Sequence, residues 1–212
     1  MKIGIIGATG KSGSKISAEA LIRGHEVIPL IRNASKLPDN RDSYYIEKDL
    51  YELTYEDIKN LDVVVDAFNA PVGREELHQT SLSYIVSLIQ GHETPRLIVV
   101  GGAGSLYVDD AMTTRLMDTP DFPEEAKPAA FNMGKAFDQL KLTEDVNWTY
   151  LSPSAFFDPK GPRTGKYQLG KDRLLTNSKG ESEISYADFA LALVDEIENQ
   201  QFIDQRITVC SE

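Results

Sequence analysis

The chain has 212 residues, 41% of them hydrophobic, and a formal net charge of −11. A chain of this length can bury one sizeable core, so we expect a single domain over residues 1–212. The acidic balance argues against nucleic acid or an anionic membrane as the main partner, because either would require a basic face.

Two further features indicate a cytoplasmic protein. The single cysteine, Cys210, excludes an internal disulfide bond and is typical of a reducing compartment. The chain begins directly with a strand pattern rather than a leader peptide, and its apolar runs fall short of the roughly 18 residues that span a membrane. We therefore predict a cytoplasmic location and no membrane partner.

The first predicted element is a buried strand over Lys2–Ile6, followed at once by a glycine-rich turn and a helix start near Lys11. Gly7, Gly10 and Gly13 follow the pattern G-x-x-G-x-x-G, a variant of the dinucleotide signature G-x-G-x-x-G. Glycines let the main chain approach phosphate oxygens closely, and the helix start directs free N–H groups at the anion. The turn therefore predicts a cradle for a diphosphate.

Two alternatives compete with this interpretation. The glycines could mark only a sharp strand-to-helix turn. A nucleotide triphosphate loop, G-x-x-x-x-G-K-[ST], is the other alternative, because Gly10, Lys11 and Ser12 match its end and Val63–Asp66 could supply a magnesium-binding acid. That loop would need glycine where the chain has Ile5, inside the strand.

The second strand pattern, over residues 25–31, completes a strand–helix–strand unit of about thirty residues. A carboxylate after this strand would bind the adenosine ribose hydroxyls, whereas an arginine accommodates a 2′-phosphate. Residues 32–36 contain Arg32 and no acid. We predict NADPH as the cofactor, with NADH as the alternative.

Strand and helix patterns alternate through the rest of the chain, which is typical of a parallel, doubly wound α/β sheet. A turn at 38–40, a surface loop at 118–128 and a mobile loop at 158–165 interrupt them, and 167–169 with 173–175 predicts a small hairpin. Ser185 is predicted to cap a last helix. The further strands are predicted at 44–46, 63–65, 97–100, 147–151 and 207–209, and the further helices at 54–60, 82–89, 130–140 and from 186 onward.

Ligands of such sheets bind outside the carboxyl ends of the strands. Asp49 and Leu50 follow one predicted strand, Phe68, Asn69 and Ala70 the next, and a glycine cluster over 101–105 another. We expect all three segments at the cofactor edge.

Five segments together resemble a known family. They are Gly7-Ala8-Thr9-Gly10 with Gly13, Arg32 after the second strand, Val99–Ser105, Asp118–Pro123 and Trp148–Pro153. This set resembles the atypical short-chain dehydrogenase/reductases, and within them the NAD(P)H-binding group labelled "putative NADH-flavin reductase", which is similar to biliverdin reductase B/flavin reductase. The resemblance covers essentially the whole chain and implies a single Rossmann domain with a small C-terminal subregion on the substrate side.

The resemblance also implies roles for individual residues. Those implied to surround the diphosphate are Gly7, Thr9, Gly10, Lys11, Ser12 and Gly13. Arg32 would meet the 2′-phosphate, Asp49 and Leu50 would border the adenine, and Phe68, Asn69 and Ala70 would pass the adenosine side of the diphosphate. Those implied to wall the nicotinamide and substrate pocket are Gly101, Gly102, Ala103, Gly104, Ser105, Ser152, Pro153, Ser154 and Ala155, with Phe156 and Phe157 as stacking surfaces for a flat ring.

One departure from the family limits the reaction. Carbonyl-reducing members use a Tyr-x-x-x-Lys pair, whose tyrosine acts as general acid, on the helix after the fifth strand. Here the corresponding residues are Phe131 and Lys135, and a phenylalanine cannot donate a proton. Ser105 and Lys135 are the remaining catalytic candidates. The three histidines lack ligand spacing, so we expect no metal site.

These patterns favour an NAD(P)H-dependent oxidoreductase that transfers hydride to a flat small-molecule acceptor such as a flavin or quinone, because such acceptors take their proton from solvent. A flavin could then be a substrate, and the sequence leaves open whether it is instead a bound prosthetic group. The alternative is a noncatalytic NADP(H)-binding sensor or regulator with the same fold. The sequence leaves the oligomeric state open between monomer and homodimer.

Overall fold

The computed structural model describes residues 1–37 and 44–212; the predicted turn at 38–40 lies outside these ranges. The described strands are β1 (Lys2–Ile6), β2 (Glu26–Ile31), β3 (Ile46–Glu47), β4 (Val63–Asp66), β5 (Arg96–Val100), β6 (Trp148–Ser152), β7 (Phe156–Asp158), β8 (Gln168–Gly170), β9 (Glu183–Ser185) and β10 (Gln205–Cys210). The α-helices are α1 (Lys11–Ile22), α2 (Tyr55–Ile58), α3 (Leu77–Ile89), α4 (Lys127–Leu140) and α5 (Tyr186–Asn199).

The main sheet has the strand order β3-β2-β1-β4-β5-β6-β10-β8. Its described pairings are parallel except that of β8 with β10, which is antiparallel. The chain winds outward from β1 in both directions, so the strand order reverses between β1 and β4. This confirms the predicted doubly wound sheet and puts its switch point at the glycine-rich turn.

Helices cover both faces of the sheet, and each face has its own apolar core. On one face Ile16 of α1 and Phe189 of α5 are fully buried against strand residues such as Ile5. On the other, Ile85 of α3 and Phe137 of α4 pack over the opposite side of the same strands. Buried on both faces, the central strands carry continuous rather than alternating apolar runs.

The last helix begins where the sequence predicts. The Ser185 hydroxyl accepts a hydrogen bond from the backbone N–H of Asp188 at 2.9 Å. A cap of this kind stabilises a helix by about 1 kcal/mol.

Two predictions about the second half of the chain are wrong. Residues 167–169 do not form a hairpin with 173–175; instead β8 pairs with β10, where Leu169 lies opposite Val209. An isolated two-stranded hairpin is only marginally stable in water, whereas β8 joins the edge of a large sheet. The predicted surface loop at 118–128 is also too long, because its last two residues, Lys127 and Pro128, begin α4.

The predicted C-terminal subregion contains a second, two-stranded parallel sheet made of β7 and β9. The loop after β7 is anchored at two points. Arg163 donates two hydrogen bonds to the carboxylate of Glu19 on α1, at 2.8 and 2.9 Å, and the Asp188 carboxylate accepts the N–H groups of Thr164 and Gly165. The segment predicted as mobile is thus tied to α1 and α5.

Candidate dinucleotide site

The glycine-rich turn is shaped so that side chains would not fit. Gly7 has a φ of +74°, and a Cβ on it would lie 2.5 Å from the backbone oxygen of Ala67. A Cβ on Gly13 would lie 2.2 Å from the backbone oxygen of Gly7. The N–H of Gly10 donates to that same Gly7 oxygen at 2.8 Å, which closes the turn. The chain therefore bends tightly enough for helix α1 to begin directly above β1.

The start of α1 offers donors to an anion. Gly10 occupies the cap position, no side chain of the described residues caps the helix, and its first turn contains no acid. The first N–H groups of a helix have no partner within it, and the helix dipole adds positive potential there. A helix of 12 residues beginning at this turn suits a diphosphate.

A cavity of about 540 Å³ opens beside the turn, over the carboxyl ends of β1, β2 and β3 and against the segment that follows β4. This volume falls in the ordinary range of ligand sites. Eight of the residues predicted for the cofactor line it: Gly7, Thr9, Gly10, Arg32, Asp49, Leu50, Phe68 and Asn69.

Four other predicted residues lie next to the cavity without lining it. Lys11 is exposed and Ser12 half-buried on the first turn of α1, whereas Gly13 is buried beneath the turn. Ala70 is also buried, behind the wall that Phe68 and Asn69 form.

Arg32 lies at the rim of this cavity with a largely uncommitted guanidinium. Its side chain is 70% exposed, and among residues 1–37 and 44–212 its nearest carboxylate oxygen, on Asp49, is 3.9 Å away. Asp49 is held by its own backbone contacts, since its other oxygen accepts the N–H of Tyr51 at 3.1 Å and caps the 3₁₀ turn Leu50–Glu52. A phosphate entering the cavity would therefore find a cation whose existing ion pair is long and solvated.

The structure adds cations that the sequence analysis missed. Lys36, Lys48 and Arg74 also line the cavity. Lys48 lies 2.7 Å from both carboxylate oxygens of Asp57. Burial alone would raise the pKa of Asp57, but the hydrogen bonds from Lys48 and Thr54 outweigh it, and the net shift is downward. The only signal for Lys48 was its position just past a short strand.

One wall of the cavity is backed by a buried acid. Asp66, at the end of β4, accepts the N–H of Phe68 at 3.0 Å. Burial raises the pKa of Asp66 to about 6. The ring of Phe68 meets that of His78 edge to face at 6.0 Å, and burial lowers the pKa of His78. Sequence reasoning gave Asp66 a role only in the triphosphate-loop alternative, as a magnesium-binding acid, and gave His78 none.

The residues predicted for the nicotinamide end lie outside the 540 Å³ cavity, along the carboxyl ends of β5 and β6. A Cβ on Gly101 would lie 2.1 Å from the ring of Tyr150, so the turn after β5 presses against β6. Gly102 and Ala103 are half-buried there. Ser152 and Pro153 are buried, and the Ser152 hydroxyl has no hydrogen-bond partner among the described residues.

The two catalytic candidates, Ser105 and Lys135, lie outside the 540 Å³ cavity. Ser105 is buried, and its hydroxyl accepts a hydrogen bond from Nη1 of Arg206 at 2.9 Å. Lys135 is exposed on α4, where its ammonium lies 4.7 Å from the ring centre of Phe131. Their catalytic roles remain predictions without support from the geometry.

The two aromatic candidates for stacking also differ. Phe157 is half-buried and packs against Tyr186 and Phe189, with ring centres 3.8 and 4.8 Å away. Phe156 is 58% exposed and is the one that a ligand could reach.

A glycine cradle between the first strand and helix, at the switch point of a doubly wound parallel sheet, defines the class of Rossmann-fold dinucleotide-binding proteins. Within that class the chain can be assigned to a family. Residues 7–200 match the family model described as NAD(P)H-binding, so the chain belongs to the NAD(P)H-binding family and its cofactor is a nicotinamide dinucleotide.

Similar proteins extend over the full length of the chain. It is 54% identical over 212 residues to "uncharacterized protein YwnB" of Bacillus subtilis, covering 100% of this chain and 99% of that protein. A crystal structure from Streptococcus pneumoniae, described as "a putative NADH-flavin reductase", is 44% identical with a TM-score of 0.94 and 100% coverage of both chains. A "putative exported protein" from Burkholderia pseudomallei is 34% identical with a TM-score of 0.88 and 99% coverage of both. These likenesses support the predicted class, an NAD(P)H oxidoreductase.

Within residues 1–37 and 44–212, none of the helices is both long enough and apolar enough to cross a bilayer.

Proposed function

We propose that the protein is an NADPH-dependent reductase that passes hydride to a flat acceptor such as a flavin or a quinone. The observation that carries the proposal is the pairing of a glycine cradle with the exposed guanidinium of Arg32 at the rim of one cavity. The similarity to the Streptococcus pneumoniae protein described as "a putative NADH-flavin reductase" supports the choice of acceptor class.

The cofactor preference depends on charge at the adenosine end. Arg32 and Lys36 both line the cavity beyond β2. A 2′-phosphate adds up to two negative charges there, and a guanidinium matches phosphate geometry through paired N–H donors. NADPH should therefore bind more tightly than NADH.

The acceptor class follows from the protein's side chains. On α4, Phe131 and Lys135 take the places of the tyrosine and lysine of carbonyl reductases, and Phe131 is half-exposed. The nicotinamide, when bound, supplies the hydride; the protein's residues position it and exclude water. An acceptor that takes its proton from solvent needs no phenol at this position, which favours a flavin or quinone over an aldehyde or ketone.

Titration calorimetry with NADPH and NADH tests the cofactor, and steady-state NADPH oxidation with FMN, riboflavin and a quinone tests the reaction. We expect micromolar NADPH binding and turnover well above the non-enzymatic rate with at least one acceptor. Tight NADPH binding without turnover would support the alternative, a noncatalytic NADP(H) sensor. No binding of either nucleotide would overturn both functions.

We further propose a cytoplasmic protein whose partner is a small molecule rather than nucleic acid or a membrane. The single, fully buried Cys210 suits a reducing compartment, and the net charge of −11 opposes binding to polyanions. Fractionation of cells that express a tagged chain checks the location. Recovery with the membrane or exported fraction would contradict it.

A further inference from the structure

Arg206, on β10, carries a charge that is almost completely removed from solvent. Its side chain is 2% exposed. Nη1 donates to the backbone oxygen of Ser105 at 3.2 Å and to its hydroxyl at 2.9 Å, and Nε donates to the Asp172 carboxylate at 2.8 Å. The guanidinium also lies 4.4 Å from the ring centre of Phe137. Burying a guanidinium is costly unless its donors are satisfied, so this position is specified by its partners.

The group that Arg206 holds is the end of a tightly packed turn, residues 101–105, which follows β5. At its start, a Cβ on Gly101 would collide with the Tyr150 ring, and near its end a Cβ on Gly104 would lie 2.5 Å from Cβ of Ala130. The turn is thus pressed between β6 and α4. Its last residue, Ser105, is fixed by Arg206 through both its backbone and its side chain.

The segment after the turn is braced from the same side. The backbone N–H of Tyr107 donates to the backbone oxygen of Asp172, and the N–H of Leu174 donates to the backbone oxygen of Tyr107, both at 2.9 Å. Asp172 therefore links Arg206 and the main chain after the turn. Arg206 joins these contacts to the main sheet, because its strand pairs with β6.

The turn 101–105 lies where the second half of a bound dinucleotide would be expected. The 540 Å³ cavity lies over the carboxyl ends of β1, β2 and β3, reaches the segment that follows β4, and suits the adenosine half of a dinucleotide. In a doubly wound sheet the ligand crosses the switch point, so its second half continues over the carboxyl ends of β4, β5 and β6. The turn 101–105 directly follows the carboxyl end of β5.

We propose that Arg206 is a positioning residue that holds the turn 101–105 in the shape that receives the nicotinamide half of the cofactor. The inference rests on the proposed function. It gives Ser105 a structural role, since Ser105 is the anchor through which Arg206 acts on the turn. Arg206 itself lies below the turn and touches neither cofactor nor substrate.

The test compares NADPH with adenosine 2′,5′-bisphosphate, which carries only the adenosine half, by titration calorimetry on the full chain. In Arg206→Met, which keeps a long side chain but loses all donors, we expect at least tenfold weaker NADPH binding and a bisphosphate Kd within twofold of wild type. Arg206→Lys should recover part of the NADPH affinity, because an ammonium can reach one acceptor but not match the fork. Ser105→Ala keeps the backbone acceptor for Arg206, so its NADPH affinity should fall threefold or less.

A variant at the exposed end of the contact covers the case in which Arg206→Met does not fold. Asp172 is 44% exposed, and Asp172→Asn removes the charge facing Arg206 while keeping an oxygen that can accept a hydrogen bond from its Nε. We expect Asp172→Asn to weaken NADPH binding threefold or more with unchanged bisphosphate binding.

Several results would overturn the inference. One is equal loss of both ligands in Arg206→Met, which indicates a general structural role, and another is wild-type affinity for both. A wild-type protein that binds NADPH no better than the bisphosphate would also overturn it. Failure of the proposed function is recognised separately, from a wild-type protein that binds neither ligand.

Discussion

The carboxyl of Asp66 accepts a hydrogen bond from the backbone N–H of Phe68 at 3.0 Å, and Phe68 lines the 540 Å³ cavity. Asp66 lies at the end of β4, 6% exposed, beside a small cavity of about 20 Å³ that His78, Ser81 and Tyr150 also line. A titratable group is therefore built into the support of the predicted cofactor site.

The stability of the protein should depend on the protonation of Asp66. Burial raises its pKa from 3.8 to about 6. Between these values the folded protein keeps a proton that the unfolded chain has lost, so rising pH lowers the free energy of unfolding, by about 3 kcal/mol in full. Asp66→Asn does not titrate and keeps an acceptor for Phe68. Relative to wild type, its free energy of unfolding should rise by about that amount between roughly pH 3.5 and 7.

Urea unfolding at several pH values measures this difference. Asp57→Asn is the matched control, because the pKa of Asp57 shifts in the opposite direction. The free energy of unfolding of Asp57→Asn should be lower than that of wild type at pH 7, and the difference should shrink as the pH falls. Parallel stability curves for wild type and Asp66→Asn would contradict the role of burial.

Arg32→Ala should weaken NADPH binding far more than NADH binding. Hydrogen bonds to charged groups contribute about 1.5–3 kcal/mol, which corresponds to a loss of about tenfold or more for NADPH. Calorimetric titration of both nucleotides measures the ratio. Lys59→Ala removes an exposed charge that pairs with Glu56 on α2, and should leave both affinities unchanged. Equal losses for the two nucleotides in Arg32→Ala would rule out contact with a 2′-phosphate.

Gly13→Ala should destabilise the fold and abolish tight nucleotide binding. Alanine is favoured over glycine inside a helix by about 1 kcal/mol. The new Cβ, however, would lie 2.2 Å from the backbone oxygen of Gly7, and overpacking against main chain costs about 1–3 kcal/mol. We expect the cost of this overpacking to exceed the gain in helix propensity, so that Gly13→Ala is destabilised overall. Gly10→Ala is the graded control, because its Cβ would lie 3.1 Å from the same oxygen. Thermal unfolding with and without NADPH compares the two variants. Equal losses of stability and of NADPH binding in both would contradict the argument that the Cβ at position 13 collides with the Gly7 oxygen.

Arg96 and Glu196 form a buried ion pair between β5 and the end of α5, with side chains 6% and 3% exposed. Glu196 also accepts the backbone N–H groups of Gln201 and Phe202. Arg96→Met leaves a buried carboxylate without its partner and should cost about 3–5 kcal/mol in urea unfolding.

The double variant Arg96→Met/Glu196→Gln tests the cause of that loss. It leaves no charge buried, so it should recover most of the stability lost in Arg96→Met. A double variant as unstable as the single one would show that packing, rather than the unpaired charge, accounts for the loss.

Much of the candidate site beside the glycine-rich turn could be predicted from sequence because its determinants are local. The run from Lys2 to Gly13 contains a buried strand, the glycine spacing and a helix start within one short segment. Arg32 follows β2 directly, so its position at the sheet edge required only the strand's end. Such features depend on backbone dihedrals and side-chain periodicity, which neighbouring residues determine.

Other residues of the site could not be predicted, because distant parts of the chain determine their environment. The Ser105 hydroxyl is directed by Arg206, 101 residues later. Lys48 and Arg74 come to one cavity from segments on either side of the switch point. The raised pKa of Asp66 reflects enclosure by α3, α4 and β6 rather than its sequence neighbours.

By itself, the sequence determined a doubly wound sheet, a glycine cradle at its first turn and an arginine beside it, because each follows from short-range pattern. Only the tertiary structure decided that β10 lies between β6 and β8, and that Arg206 thereby reaches Ser105. Strand pairing and the burial of charge depend on which surfaces meet across the whole chain, and residue spacing carries little information about that.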